Sequence, residues 1–278
     1  MDQECVSAYL SAGTARRLMN TFLTFPLLEQ TGIVRHLFTT RQGGVSRGEF
    51  ATMNLSFTRG DDPACVEENY RRVADVLGCR PEDMVASHQT HTTNIRRVST
   101  DDRGKGIVRP RDYENIDGLI TDEPGLVLVT YFADCVPLYF VDPVHRAIGL
   151  AHSGWRGTAE RMGECMLRAM QEAFGTKPEQ ICAVIGPCIC QDCYEVSADV
   201  AEQFENYPEA VRAGKEPGKY QLDLRAVNRR ILLDAGVAEE RLESPEICTC
   251  CNSSYLFSHR ASGGRRGNLA AFLGLKED

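Results

Sequence analysis

Two histidines and one cysteine, His91, Cys135 and His152, are the residues of this sequence best suited to do chemistry together. They sit in Ser87-His88-Gln89-Thr90-His91, Ala133-Asp134-Cys135-Val136-Pro137 and Ala151-His152-Ser153-Gly154-Trp155-Arg156-Gly157. Each segment ends an apolar run, where a strand delivers side chains to the rim of a sheet. A thiolate and two neutral imidazoles can bind zinc tetrahedrally and leave a fourth position for water or substrate. Such a site carries a net positive charge and can still acidify water. Spacing alone leaves a second reading open, a buried thiol with two hydrogen-bonded imidazoles, because the three residues come from separate segments. Asp134 favours the metal: a carboxylate inside an apolar run is costly to bury unless it is paired or orients something. It is expected to accept the second ring N–H of a ligating histidine.

Anion-binding candidates surround this set. Ser153-Gly154-Trp155-Arg156-Gly157-Thr158 leads from a strand into a helix, and free N–H groups there attract anions. It lacks the Gly-Lys-Ser/Thr ending of a nucleoside-triphosphate loop, and a plain tight turn is the alternative. Arg41 in Thr40-Arg41-Gln42-Gly43-Gly44, Arg260 in Ser258-His259-Arg260, and the pair Arg265-Arg266 offer bidentate forks for phosphate. Two cysteine clusters, Cys188-Ile189-Cys190-Gln191-Asp192-Cys193 and Cys248-Thr249-Cys250-Cys251, each hold a C-x2-C pair. Buried thiols explain them, and so does a structural zinc site of four cysteines.

The elements that must position these residues follow from periodicity and punctuation. Strands are expected at 33–40, 85–87, 94–98, 119–121, 126–132, 137–141, 147–151 and 182–185. A helix capped by Asp62, with Pro63 at its first position, runs to Gly78. Further helices are expected at 158–174, from Ser197 to about residue 205, and from Leu224 to Gly236, with strands and loops from 248 to 275. Strands come in clusters rather than in strict alternation with helices. That favours an α/β fold of mixed β-sheets packed together with outer helices, in a single domain. Residues 1–32 are expected to be a weakly structured N-terminal segment, and 33–278 the domain itself.

Composition narrows the function classes. The 278 residues are 42% apolar and 25% charged, which excludes a wholly disordered chain. A net charge of −8 argues against a general nucleic-acid binder. The apolar stretch at 125–141 contains Asp134 and Pro137 and reads as two buried strands, so no membrane span is expected. The opening Met1-Asp2-Gln3-Glu4 lacks a secretory pattern, and the twelve cysteines are then mostly thiols in a reducing cytoplasm.

Taken together, these segments resemble the laccase-domain family of multicopper-polyphenol-oxidase-like proteins, which are viewed as purine nucleoside phosphorylases and include the bacterial peptidoglycan editing factor. The resemblance rests on Phe38-Thr39-Thr40-Arg41-Gln42-Gly43-Gly44-Val45-Ser46, Met53-Asn54-Leu55, Gln89-Thr90-His91, Asp117-Gly118-Leu119, Ala133-Asp134-Cys135-Val136-Pro137 and the His152 segment. It continues through Gly186-Pro187-Cys188-Ile189, Tyr194-Glu195-Val196 and Phe257-Ser258-His259-Arg260. It implies a metal site of His91, Cys135 and His152, which are also the catalytic residues. Arg41, Asn54, Gln89, Asp134, Arg156 and Arg260 fall at substrate-binding positions. The implied activity is zinc-dependent phosphorolysis of adenosine, inosine, guanosine and methylthioadenosine to base and ribose 1-phosphate, with deamination of adenosine. Purine nucleosides and inorganic phosphate are thus the partners, with the oligomeric state open. Thr90 and His259 depart from the usual pattern, where valine and an aromatic residue are more common. Two other readings use the same residues: a copper-dependent polyphenol oxidase, disfavoured because a blue-copper set also expects an axial ligand such as methionine, and a hydrolase of peptidoglycan precursors with Cys135 as nucleophile.

Overall fold

The apolar runs in the middle of the chain are strands buried on both faces, which is why they read as continuous rather than alternating. In a computed structural model, which describes residues 21–277, β7 (Val136–Asp142) is buried throughout. Its Leu138 and Phe140 face one core, and Tyr139 and Val141 face another. This period of two follows from strand geometry.

Two mixed sheets stack against each other. One runs in the order β13 (Leu242–Glu243), β9 (Cys182–Ile185), β7, β8 (Ala147–Ser153), β5 (Gly118–Thr121), β4 (Ile95–Arg97). The other runs β1 (Phe22–Leu23), β2 (Val34–Thr39), β14 (Leu269–Leu275), β6 (Val127–Phe132), β3 (Met84–Ala86). The β3–β6, β4–β5 and β9–β13 pairs are parallel and the others antiparallel. Leu128 and Phe132 of β6, Leu269, Ala271 and Leu273 of β14, and Ile148 and Leu150 of β8 fill the space between the sheets. A third sheet, β10 (Glu195–Ser197), β12 (Lys219–Leu222), β11 (Val211–Ala213), stands apart.

Helices cover both outer faces. Helix α2 (Pro63–Leu77) packs Val66, Tyr70 and Val73 against Val129 and Phe272 of the five-stranded sheet. Asp62 caps it by accepting from the Ala64 N–H at 3.0 Å, and Gly78 ends it at φ 64. On the other side, α4 (Met162–Phe174) and α6 (Leu224–Asp234) pack Met166, Met170, Val227 and Ile231 against Phe140 and Ala183. The result is helix–sheet–sheet–helix, the α/β fold of packed mixed sheets with outer helices that the sequence implies.

Some boundaries differ from expectation. The helix expected at 158–174 is two helices, α3 (Trp155–Ala159) and α4, separated by Arg161 at φ 59. The buried Thr158 hydroxyl lies 2.9 Å from Ser153 Oγ and accepts from Asn228 Nδ2 at 2.9 Å. That anchor fixes α3 on β8 while the left-handed residue re-aims the chain. The helix after Ser197 is one α-turn, α5 (Ala198–Ala201), followed by a 3₁₀ turn. A short helix, α7 (His259–Ser262), lies in the region read as strands and loops. Of the segment expected to be weakly structured, residues 1–20 lie outside the described residues. Residues 21–32 supply β1, paired with β2, and α1 (Pro26–Gln30). Among the described residues no helix is long and apolar enough to cross a membrane, and 125–141 spans β6 and β7.

The chain passes between the stacked sheets after β3 and again after β6. Those two crossings, 87–94 and 133–135, carry His91 and Cys135. Both contain a non-glycine residue with positive φ, His91 at 66 and Asp134 at 89. Such backbone is costly and concentrates where function demands it.

Candidate metal centre and its cavity

The fold brings His91, Cys135 and His152 together, with their ligand atoms all within 4.8 Å of one another. His152 projects from β8, and its ring meets His91 edge-on at 4.9 Å between centroids. Asp117, fully buried just before β5, organises the set. Its Oδ2 accepts from the Thr90 and Thr92 amides, each at 3.0 Å, and its Oδ1 accepts from the His91 amide at 3.1 Å. The same Oδ1 lies 2.8 Å from His152 Nδ1. One carboxylate therefore folds the His91 loop and fixes the His152 ring so that Nε2 is left for a ligand, the usual arrangement behind a metal-binding histidine. Burial works against its charge, yet the bond and charge of His152 and the loop amides hold Asp117 below the ordinary carboxylate range.

Charge in the set is tightly coupled. Burial raises the Cys135 thiol, but the charge and bonding of His152, then His91, outweigh it and bring it down to about 6. Burial likewise opposes charge on His152, while Cys135 and Asp117 push it up to about 9. A thiolate is thus favoured at neutral pH, as a metal ligand requires. Gly154, the N-cap of α3, completes the cradle. A Cβ there would lie 2.8 Å from His91 Cδ2 and 3.2 Å from Cys135 Sγ, so only glycine leaves the donors room to converge. Two imidazoles and a thiolate on a glycine-cleared floor fit a divalent metal with an open position.

The role expected of Asp134 belongs to Asp117. Asp134 instead accepts from Thr249 Oγ1 at 2.6 Å and the Arg260 amide at 2.7 Å, while its carbonyl accepts from the Ile189 amide at 3.0 Å. It braces the turn that presents Cys135. The reason is geometric: a left-handed residue directs its side chain away from its neighbour's, toward the 249 and 260 loops. Asp117 appeared in the sequence only as part of a motif, since an aspartate before a glycine reads as a turn.

A cavity of about 370 Å³ opens over the three residues. Among the expected substrate-binding residues, Gln89 lines it. Its amide group is spent on Tyr131, accepting from N at 2.7 Å and donating to O at 2.8 Å. Asn54 is fully buried behind the wall, donating to Asp61 Oδ2 at 2.9 Å and accepting from the Asn268 amide at 2.9 Å. Arg41 donates to the carbonyls of Ala51 at 2.9 Å and Ser253 at 2.8 Å, and lines a separate cavity. Arg260 is held by the carbonyls of Cys193 at 3.0 Å and Glu195 at 2.9 Å. Arg156 is exposed and stacks on Trp155 at 4.3 Å. Arg41, Asn54, Arg156, Asp134 and Arg260 are not in the lining of the metal cavity.

Other cations are. Arg59, Arg111 and Arg266 line the same cavity as the metal set. Arg111 donates to the Ser87 carbonyl at 3.0 Å, and Arg59 to that of Gly264 at 3.3 Å. Arg266 bonds Asn268, while its buried Nε lacks a protein partner. Burial, then the charge of Arg59, lowers the Arg266 guanidinium to about 10. Cations crowded against one another in a cavity make an anion site. Of these, only Arg266 stood out in the sequence, flanked by glycine. Arg59 and Arg111 lie in loops with no local signal, and the packed sheets alone bring them to the cavity.

Comparison with known proteins places these features in a group. Residues 35–276 match the family model described as multi-copper polyphenol oxidoreductase laccase. Purine nucleoside phosphorylase YlmD of Bacillus subtilis is 38% identical over 247 residues, covering 86% of this chain and 88% of its own. Adenosine deaminase RL5, from an unknown prokaryotic organism, is 33% identical over 236 residues, covering 83% and 90%. The crystal structure of YlmD from Geobacillus stearothermophilus superposes with a TM-score of 0.86 at 37% identity, covering 95% of this chain and 98% of that one.

Proposed function

The chain belongs to the multi-copper polyphenol oxidoreductase laccase family, and we propose that within it the chain is a zinc-dependent purine nucleoside phosphorylase that also deaminates adenosine, working in the cytoplasm. One observation carries this reading: a two-histidine, one-cysteine metal set and three arginines line a single cavity. The names of the relatives, purine nucleoside phosphorylase and adenosine deaminase, support it. A zinc ion in the set supplies Lewis-acid polarisation and activation of water at the cavity floor. His91, Cys135 and His152 would hold it, with Asp117 as the orienting partner.

The chain's own residues then do the rest. Arg59, Arg111 and Arg266 bind inorganic phosphate and orient one oxygen toward ribose C1′. In phosphorolysis that oxygen forms the new bond to C1′ as the bond to the purine nitrogen breaks, giving base and ribose 1-phosphate. Holding the reactants in line accounts for much of the barrier reduction. Phe132, packed 5.6 Å from His152, and Tyr131 give the nucleoside an apolar wall. In deamination the nucleophile is water and the reacting atom is purine C6: the oxygen bonds to C6 as the bond from C6 to its exocyclic nitrogen breaks, and adenosine becomes inosine with release of ammonia. Adenosine, inosine, guanosine and methylthioadenosine are the substrates proposed.

The line of Cys135, His152 and Asp117 favours a second reading, a thiol hydrolase in which His152 activates Cys135 and Asp117 orients it. His91, which also bonds Cys135, lies outside that triad, and three donors converging on one point are why the metal reading is preferred. Chelation separates the two. Stripping the protein should abolish nucleoside turnover, and zinc should restore it while copper does not. Full turnover after complete metal removal contradicts the zinc reading and leaves the thiol.

A further inference from the structure

Outside the cavity, Cys190, Cys193, Cys248 and Cys251 bring their four sulfurs within 4.8 Å of one another. We propose that these four cysteines form a second, structural zinc site.

The geometry is that of a metal site before the metal is added. Zinc–thiolate bonds of about 2.3 Å in a tetrahedron set sulfur–sulfur edges of about 3.8 Å. The Cys190–Cys251 and Cys193–Cys251 sulfur separations are 3.9 and 3.5 Å. The sulfurs come from two short loops of C-x2-C spacing, joined by the isolated bridge between Cys188 and Cys248. Cys248 Sγ accepts from the Cys190 amide at 3.2 Å and the Cys251 amide at 3.3 Å. Backbone amides aimed at a sulfur stabilise a thiolate rather than a thiol. Arg260 and Arg225 donate to the Cys193 and Ile247 carbonyls at 3.0 and 3.4 Å, placing positive charge beside a site that four thiolates would leave at net −2. Tetrahedral sulfur sets hold zinc or iron–sulfur centres, and a closed four-cysteine set from two C-x2-C loops is the arrangement of structural zinc. With all four positions filled by protein, the metal holds structure and does not turn over substrate.

The site's purpose follows from its neighbours. Ile189 and Thr249, each one residue from a ligand, both bond Asp134, which precedes Cys135. Zinc there would lock the two loops that fix the Cys135 turn.

The test uses the full chain purified under reducing conditions from zinc-supplied cells. Two zinc ions per chain are expected, falling by one in Cys251→Ser and by a different one in Cys135→Ser. Cobalt added to stripped Cys135→Ser should give the intense red-region bands of tetrahedral tetrathiolate cobalt. Adding Cys251→Ser should abolish them. Cys251→Ser should also lower the unfolding temperature of the zinc-loaded protein. Equal zinc content with and without Cys251→Ser, or no thiolate–cobalt spectrum in Cys135→Ser, overturns the proposal. So does a Cys193–Cys251 disulfide in place of bound metal. Should Cys251→Ser not fold, the cobalt spectrum of Cys135→Ser decides alone. Loss of the first site shows only in Cys135→Ser, so the two readings fail separately.

Discussion

Gly154 shows how one residue decides whether the centre can exist. Its backbone is ordinary extended chain, so alanine is conformationally acceptable there, and only the space beside His91 and Cys135 forbids a side chain. Gly154→Ala should therefore lower metal affinity about ten- to hundredfold, the range seen when a metal site's supports are disturbed. Competition against a chelating dye measures this, and unchanged affinity would show that the three donors do not share one ion. Arg266 makes a separate prediction on the other wall. Losing one charge-assisted contact costs roughly 1.5–3 kcal/mol, so Arg266→Ala should raise the KM for phosphate about ten- to hundredfold. The KM for nucleoside should move far less, and equal changes in both would remove Arg266 from the phosphate site. The three donors were legible in the sequence because each ended an apolar run. The arginines Arg59 and Arg111 were not, since a loop arginine acquires meaning only from what the fold sets beside it.

The strands explain why the legible part was legible. Buried on both faces, β7, β8 and β14 leave continuous apolar runs that need no partner to be recognised. Helix α2 was equally plain, because Asp62, Pro63 and Gly78 punctuate both of its ends. The break between α3 and α4 was not, because it depends on the tertiary anchoring of Thr158 by Ser153 and Asn228. Likewise, the assignment of Asp134 to a histidine failed because the left-handed turn that redirects it cannot be read from residue types. The Asp62 cap allows a test far from the site. Asp62→Ala should destabilise the protein by about 1 kcal/mol, read from denaturant midpoints, with kcat and KM unchanged. A coincident loss of activity would mean that α2 does more than cover the five-stranded sheet.

At the scale of the whole molecule, the two stacked sheets make the site because two of the chain's crossings between them, after β3 and after β6, bring His91 and Cys135 to His152. The N-terminal strand and helix seal the interface at another edge, where His36 of β2 is buried and accepts from the Phe25 amide at 2.8 Å. Burial, then the charge of Lys276, lowers His36 to about 4 from an ordinary 6.5. A neutral buried histidine contributes its full stability above pH 6.5 and loses it as the pH falls toward 4. A shift of that size corresponds to about 3 kcal/mol. Denaturant unfolding from pH 7 to 4 should therefore fall more steeply for the native chain than for His36→Gln, and parallel profiles would contradict the assignment. The acidic net charge of −8 is compatible with phosphate as a substrate because three arginines dominate the cavity locally. The central claim is that this cavity transfers a ribosyl group to phosphate, and phosphorus NMR reports it directly. With adenosine, inorganic phosphate and the zinc-loaded chain, a ribose 1-phosphate resonance should grow as the phosphate resonance declines, and Cys135→Ser should show neither change. A phosphate resonance that stays constant while the native chain is present would contradict the account.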